Sequence, residues 1–386
     1  MSIVTGRTAT SNSPIWIDYT PAYEQGAGIG RYVRELIAAL ATIDSSTEYR
    51  LFVAGASALP TPPATNFHWK ATRLSPKWTA RMWYRARLPL PINLWTGRVG
   101  LFHATDFVLP PTLPTTRTLL TVHDLSFVRA PESASPRLRA YLDQVVPRSV
   151  RRADQVLADS QATKNDLIAL YGTPADKITV LLSGVSDHFT PVRDPAQLAA
   201  VRARYKIGDA PYILAVGTVQ PRKNYERLIR AVATLPAEFN AVRLVIVGGW
   251  GWLQAPIYEA VESLKMADRV VFAGFAADAD LPALYSGARV VAYPSLYEGF
   301  GLPILEAMRC GVPVLTSDTS SLREVGGAAA LLIDPYSIEA IRDGLIRLLR
   351  NESLRTTLIA AGVAQAQPFT WERAARQLRQ VYAALL

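Results

Sequence analysis

The residues with the clearest chemical capacity lie in one run, Pro294-Ser295-Leu296-Tyr297-Glu298-Gly299-Phe300-Gly301-Leu302-Pro303-Ile304-Leu305-Glu306-Ala307-Met308. The run leaves an apolar strand-like segment, passes two glycines and enters a helix with Pro303 in its first turn. Loop amides and a helix N-terminus in that arrangement attract a phosphate. Glu298 then falls in the loop and Glu306 about one turn into the helix. Two carboxylates flanking an anion-binding turn cannot both serve the anion. They are suited to accept hydrogen bonds from hydroxyls on either side of it, as in a nucleotide with ribose at one end and a hexose at the other. The competing reading is one helix-capping carboxylate and one surface glutamate.

A second run supplies cations. Gly217-Thr218-Val219-Gln220-Pro221-Arg222-Lys223-Asn224 follows an apolar strand and precedes an amphipathic helix. Gly217 permits close backbone approach, while Arg222 and Lys223 offer a planar fork and a point charge. Together they could hold a diphosphate and stabilise it as a leaving group; alone, such a pair is commonly surface decoration. Gly26-Ala27-Gly28-Ile29-Gly30-Arg31 is a third glycine-rich entry to a helix. Its third glycine comes too early for a dinucleotide fingerprint, and no acidic residue follows at the required place. Of four histidines, His123 ends an apolar strand ahead of Asp124, and His103 ends another ahead of Asp106; His68 and His188 read as loop residues. Asp278-Ala279-Asp280 resembles a metal-diphosphate string, but it precedes Leu281-Pro282 and a helix, so helix capping is the better reading.

These groups need a scaffold that delivers them to strand ends. Short Val/Ile/Leu-rich runs without alternation, alternating with helix-period segments, predict parallel strands buried on both faces. They fall at 15–19, 50–54, 100–104, 118–123, 155–158 and 178–182, then at 212–216, 243–247, 270–272, 290–293, 314–316 and 330–333. The expected fold class is α/β, with two doubly wound Rossmann-like domains and ligands in a cleft outside the strand carboxyl ends. The boundary is expected at 192/193, near Thr190-Pro191 and Asp194-Pro195, giving domains 1–192 and 193–370. A last helix at 371–386 could pack on either.

Composition bounds the function. The 386 residues are 49% hydrophobic and contain one cysteine, which removes an intramolecular disulfide framework and most cysteine-based metal sites. Met1 to Ser13 is polar, without a signal-type apolar stretch, and no run reaches membrane-span length. A cytoplasmic protein is expected, peripheral on the inner membrane face at most. The net charge of +9 calls for an anionic partner. Residues 76–100 carry Lys77, Arg81, Arg85, Arg87 and Arg98 with no acid, interleaved with Trp78, Trp83, Tyr84 and Trp95. That mixture suits an anionic membrane surface; the alternative is a solvated basic loop whose tryptophans pack inward. No nucleic-acid motif is visible, so nucleic acid is not expected as a partner.

Taken together, these residues resemble the family 4 glycosyltransferases, retaining enzymes of the GT-B fold. Glu298-Gly-Phe-Gly-Leu-Pro-Ile-Leu-Glu306 carries the most specific likeness; Gly28-Ile29-Gly30-Arg31-Tyr32, Val122-His123-Asp124, Ser160-Gln161-Ala162-Thr163 and Val216-Gly217 through Asn224 follow in order. The resemblance implies that Glu306 binds ribose hydroxyls, Glu298 the donor hexose, and Arg222 with Lys223 the diphosphate. It further implies that Gly28 and Gly30 admit donor phosphates and that His123 lies beside the reacting sugar carbon. Amides near Phe300, Gly301 and Leu302 would face the donor, with Gly274 and Phe275 beside the base. It implies no metal cofactor, because two cations and a helix dipole take the metal's place. The strings around Gly28 and His123 look most like a bacterial mannosyltransferase branch, implying GDP-mannose as donor and a lipid-linked or saccharide acceptor, with UDP-glucose or another nucleotide-hexose open. A sugar-nucleotide epimerase of the same fold and a non-catalytic sugar-nucleotide-binding protein remain the alternatives.

Overall fold

The computed structural model describes residues 13–26 and 28–386. The reading of Met1 to Asn12 as a polar start, and the Ala27 position of the glycine run, lie outside them. Two compact units emerge. The first comprises Met1–Leu125, Tyr141–Gly184 and Thr370–Leu386; the second comprises Ser126–Ala140 and Val185–Phe369.

The first unit is a seven-stranded parallel sheet: β1 (Ile15–Asp18), β2 (Tyr49–Ala54), β3 (Phe67–Thr72), β4 (Leu101–Ala104), β5 (Arg117–Val122), β6 (Gln155–Ala158) and β7 (Ile178–Val180), in the order β3-β2-β1-β4-β5-β6-β7. Central β1 pairs with both neighbours, Ile15 opposite Tyr49 on one side and Leu101 on the other. Its run Ile15-Trp16-Ile17 is fully buried, as a strand covered on both faces requires. The second unit holds β8 (Tyr212–Val216), β9 (Arg243–Val247), β10 (Val270–Gly274), β11 (Val290–Tyr293), β12 (Val314–Ser317) and β13 (Leu331–Ile333), in the order β10-β9-β8-β11-β12-β13. Its core joins Ile213, Leu244, Ile246 and Val290 to Leu228, Ile341 and Leu345 of the covering helices. The strand order reverses between β1 and β4 in one unit and between β8 and β11 in the other. Such reversals open a crevice at strand carboxyl ends, where this architecture receives ligands.

Two expectations need adjusting. The changeover to the second unit comes at Gly184–Val185 rather than at 192/193, and Ser126–Ala140 also belongs to that unit. Trp252 ties this segment in by donating its indole N–H to the Ser133 carbonyl at 2.9 Å. β3 was not anticipated: Phe-His-Trp-Lys-Ala-Thr is a polar, half-exposed edge strand without an apolar run. It also carries His68, which the sequence placed in a loop. The helix Trp371–Leu385 packs on Ile29–Ile43 of the first unit, burying Trp371, Ala374, Ala375, Leu378 and Tyr382 at helical spacing. Thr370 caps it, its hydroxyl oxygen accepting the Arg373 amide at 3.1 Å.

Candidate active site

In the second unit, the turn after β8 and the loop after β11 meet at the strand-order reversal. Pro221–Lys223 forms a single 3₁₀ turn ended by Asn224 in the left-handed region, φ 61°. The Asn224 side chain donates to the carbonyls of Pro294 (3.0 Å) and Pro335 (2.7 Å), and the Leu296 amide donates to the Arg222 carbonyl at 2.9 Å. The cation-bearing turn is thereby fastened to the glutamate-bearing loop. Ser320 and Ser321 hold that loop from below: Ser320 Oγ accepts the Glu298 amide, and Ser321 Oγ donates to the carbonyls of Glu298 and Phe300.

The result is a buried ionic cluster. Lys223 Nζ lies 2.7 Å from Glu298 Oε1 and 2.6 Å from the Tyr293 hydroxyl, and Arg222 Nη1 pairs with Glu298 Oε2. Burial alone would raise the Glu298 pKa, but Arg222 and Lys223 outweigh it and hold the carboxyl at about 2. The carboxylate is thus ionised and doubly paired, which weakens it as a base or nucleophile. Gly217, with φ 146°, closes against this cluster; a Cβ there would sit 3.0 Å from Lys223 Cε. Gly301, φ 118°, precedes the helix Leu302–Arg309, whose first turn therefore has no side-chain cap. Glu306, buried within that helix, accepts the Tyr285 hydroxyl at 2.6 Å. Phe300 is buried against Phe369, ring centroids 5.9 Å apart. Gly274 ends β10 in open space, and Phe275 beside it is 63% exposed.

The first unit gathers a different set at its own reversal. His123, just past β5, faces an acceptor at each ring nitrogen: Asp159 Oδ2 at 2.7 Å from Nδ1 and the Thr105 carbonyl at 2.9 Å from Nε2. Two acceptors require two ring protons, so the ring is an imidazolium. Burial opposes that charge, but Asp159, with help from Asp106 and the Thr105 carbonyl, pushes the pKa up to about 9. His103 is its opposite. Its nitrogens meet the hydroxyls of Tyr382 and Thr121, and burial, then the His123 charge, takes it down to about 3. His103 is therefore a neutral core histidine.

Gly28 has φ 58° and open space around it. A Cβ on Gly30 would instead lie 2.1 Å from the Gln25 carbonyl oxygen, so this glycine has a packing requirement of its own. Asp280 stands at the N-cap position of Leu281–Ser286 but makes no capping bond; its carboxylate takes Arg204 Nη1 at 2.6 Å and the Tyr205 hydroxyl at 2.7 Å. The expected capping role is replaced by this pair. Sequence reading missed Asp159, Tyr293 and Tyr285. The signal available was position: Asp159 and Tyr293 each stand at the carboxyl end of an apolar strand. Asp18 ends β1 and Asp106 follows β4, with burial pushing Asp18 up to about 6 and raising Asp106 as well. Among the described residues, no group of three His, Cys, Asp or Glu side chains could hold a metal ion.

Two parallel-sheet units with polar groups gathered at each reversal define the GT-B fold of nucleotide-sugar enzymes. Comparison with known proteins agrees. Sucrose-phosphate synthase from Thermosynechococcus elongatus superposes with a TM-score of 0.74 at 23% identity, covering 97% of this chain and 99% of that one. Anabaena Alr3699/HepE in complex with UDP-glucose gives 0.70 at 19% identity, covering 96% and 99%. Residues 26–189 match Glycosyltransferase Family 4, and residues 199–365 match Glycosyl transferases group 1. The O-antigen chain mannosyltransferase B of Escherichia coli is 34% identical over 369 residues, covering 92% of this chain and 95% of that protein. The chain belongs to the family 4 glycosyltransferases and is an enzyme of that class.

Proposed function

We propose that this enzyme transfers mannose from GDP-mannose to a saccharide or lipid-linked saccharide acceptor in polysaccharide synthesis, with retention at the anomeric carbon. The mannose assignment rests on the O-antigen mannosyltransferase relative, which is matched over nearly its full length. The observation that carries the donor chemistry is the Arg222–Glu298–Lys223 cluster at the β8/β11 reversal. A diphosphate arriving there shares the two cations with Glu298, whose oxygens are then partly released to sugar hydroxyls. Glu306 takes the ribose, and Phe275, open to solvent, lies where a base could stack.

Catalysis follows from charge. As the bond from C1 to the diphosphate oxygen breaks, Arg222 and Lys223 stabilise the departing oxyanions. The acceptor hydroxyl adds to C1 from the same face and passes its proton to the leaving phosphate oxygen, so no carboxylate nucleophile is used. His123, already bearing both protons, has no lone pair for base catalysis; it supplies a fixed positive charge and orientation. With the cations provided by side chains, turnover is expected to persist in excess chelator. Residues 76–100 add a peripheral surface: Trp78 is 61% and Leu94 64% exposed, with the Arg81 guanidinium over the Trp78 ring. No helix among the described residues is long and apolar enough to cross a membrane.

The test is a thermal-shift panel of GDP-mannose, UDP-glucose and ADP-glucose, followed by NMR of the product's anomeric configuration. Selective stabilisation by GDP-mannose and an α-product are expected. Preference for another sugar nucleotide overturns the donor assignment, inversion overturns the mechanism, and epimer formation from donor alone overturns transfer itself.

A further inference from the structure

Tyr293 is the last residue of β11 and is 2% exposed. β11 lies between β8 and β12, and Tyr293 stands opposite Thr316, whose hydroxyl donates to the Tyr293 carbonyl at 2.9 Å. The Asn224 side chain bonds to the Pro294 carbonyl at 3.0 Å, so the strand end and the turn that carries Lys223 are fastened one residue from each. The Lys223 stem is confined as well. A Cβ on Gly217 would lie 3.0 Å from Lys223 Cε and 3.4 Å from Cδ, and the Tyr225 hydroxyl holds the Gly217 carbonyl at 3.0 Å. A side chain rich in rotamers is thus held with its ammonium 2.6 Å from the Tyr293 hydroxyl oxygen and 2.7 Å from Glu298 Oε1.

The two acceptors differ in kind. Glu298 is an anion and draws the ammonium strongly. With Glu298 alone, a flexible stem lets the ammonium settle wholly on the carboxylate, and an incoming phosphate oxygen must compete for it. Tyr293 is neutral: burial, then the Glu298 charge, raises its hydroxyl well above the usual phenol range, so it keeps its proton. A neutral oxygen holds the ammonium in place without cancelling its charge. Carried on a strand rather than a loop, it also places that charge precisely.

We propose that Tyr293 is a positioning residue for glycosyl transfer: its hydroxyl keeps the Lys223 ammonium from collapsing onto Glu298 and aims it at the phosphate oxygen from which the sugar departs. The proposal rests on the assignment of Lys223 to the donor diphosphate. In the sugar nucleotide that oxygen is esterified to C1. When the C1–O bond breaks, the bonding pair stays on the oxygen, which becomes anionic. A well-aimed ammonium therefore interacts more strongly with the leaving diphosphate than with the bound donor, and such a difference is what speeds a reaction. The free nucleoside diphosphate carries the leaving group's charge, so its affinity reports the aim of Lys223 without turnover.

The test compares full-length wild type, Tyr293→Phe, Lys223→Met and the double variant. Calorimetry uses GDP and GDP-mannose, or UDP and UDP-glucose where the thermal-shift panel selects them, and initial rates follow diphosphate release from the donor. Tyr293→Phe keeps the ring and should weaken the nucleoside diphosphate about tenfold and lower kcat about tenfold. Affinity for the sugar nucleotide should stay within about threefold of wild type. A merely structural tyrosine weakens both ligands alike, so equal losses overturn the proposal. With Lys223 already methionine, adding Tyr293→Phe should change diphosphate affinity less than about twofold. A further tenfold fall there means that the hydroxyl acts by itself, and also overturns the proposal. Wild-type diphosphate affinity and kcat in Tyr293→Phe, beside an impaired Lys223→Met, overturn the role of Tyr293 and leave Lys223 at the diphosphate. Normal diphosphate binding by Lys223→Met overturns the diphosphate assignment itself.

Discussion

Lys223 Nζ and Glu298 Oε1 are 2.7 Å apart, joining the turn after β8 to the loop after β11 in a nearly dry environment. The contact serves folding before any substrate arrives. Removing Lys223 takes one charged hydrogen bond from the buried Glu298 carboxylate and leaves its pair with Arg222, so Lys223→Met is expected to destabilise the free enzyme by about 2 kcal/mol. Lys223→Met with Glu298→Gln should cost less than the two singles added together, because the amide no longer needs the lysine's charge and Arg222 keeps its bond to the Tyr297 carbonyl. Urea unfolding of the two singles and the double measures the coupling. Donor turnover should stay severely depressed in the two variants that lack Lys223, since the diphosphate loses a cation in both. Recovery of turnover along with stability would remove Lys223 from the donor site.

The same pair sets an acid limit. Glu298 titrates at about 2 when folded and near 4.5 when unfolded, so the unfolded chain binds the proton first. Its stabilisation is fully present above pH 4.5 and fades as pH falls toward 2, amounting to about 3 kcal/mol. Glu298→Gln should flatten that part of the stability profile in urea titrations between pH 5 and 3. A profile as steep as wild type would mean that other carboxyls carry the acid transition.

How far the sequence reaches is clear from these residues. The strands buried on both faces announce themselves as apolar runs, and the glycine-to-helix transitions mark where the chain turns at a sheet edge. Arg222, Lys223 and Glu298 were therefore legible as groups at strand ends. That they pair with one another was not, since the link depends on β8 and β11 being spatial neighbours although distant in sequence. Edge strand β3 escaped because only Phe67 of its six residues is buried, the rest being exposed or half-buried. Asp159 escaped because a lone aspartate after a strand gains meaning only once β6 is seen beside β5, opposite His123. The assignment of Ser126–Ala140 to the second unit depends on contacts such as Trp252 to Ser133, for which local sequence holds no signal.

His123 offers a test that activity alone cannot give. With both ring nitrogens facing acceptors and a pKa of about 9, it should remain doubly protonated at pH 7.5, visible in ring ¹⁵N shifts. Its folded pKa lies above the unfolded 6.5, so its stabilisation is complete below pH 6.5 and is lost as pH rises through 9, about 3 kcal/mol in all. Asp159→Asn removes the charge that opposes burial, and the ring should then titrate below 6.5. A neutral ring at pH 7.5 in the wild type would contradict the fixed-charge role.

Gly30 and Gly26 separate packing from flexibility within one glycine run. A Cβ at Gly30 meets a backbone carbonyl at 2.1 Å, while one at Gly26 meets nothing within 4 Å. Gly30→Ala should cost about 3 kcal/mol as the helix start is forced off Gln25. Gly26→Ala should stay within about 0.5 kcal/mol of wild type. Equal, small effects in urea unfolding would show that the loop yields easily, leaving Gly30 without its packing constraint.

Asp278 and Asp280 distinguish a side-chain-cation mechanism from a metal-diphosphate one. Asp280 is engaged by Arg204 and Tyr205, and this pairing holds its carboxyl below the usual range although burial works the other way. A carboxylate already held by a guanidinium and a phenol is poorly disposed to take up a metal ion. Asp278→Asn and Asp280→Asn should therefore leave kcat/KM for the sugar nucleotide within about threefold of wild type, with and without EDTA. Asp280→Asn should lower the melting temperature slightly through the lost Arg204 contact. If either substitution abolished turnover and excess Mg²⁺ partly restored it, the diphosphate would be bound through a metal at this string, and Arg222 with Lys223 would lose their assigned role.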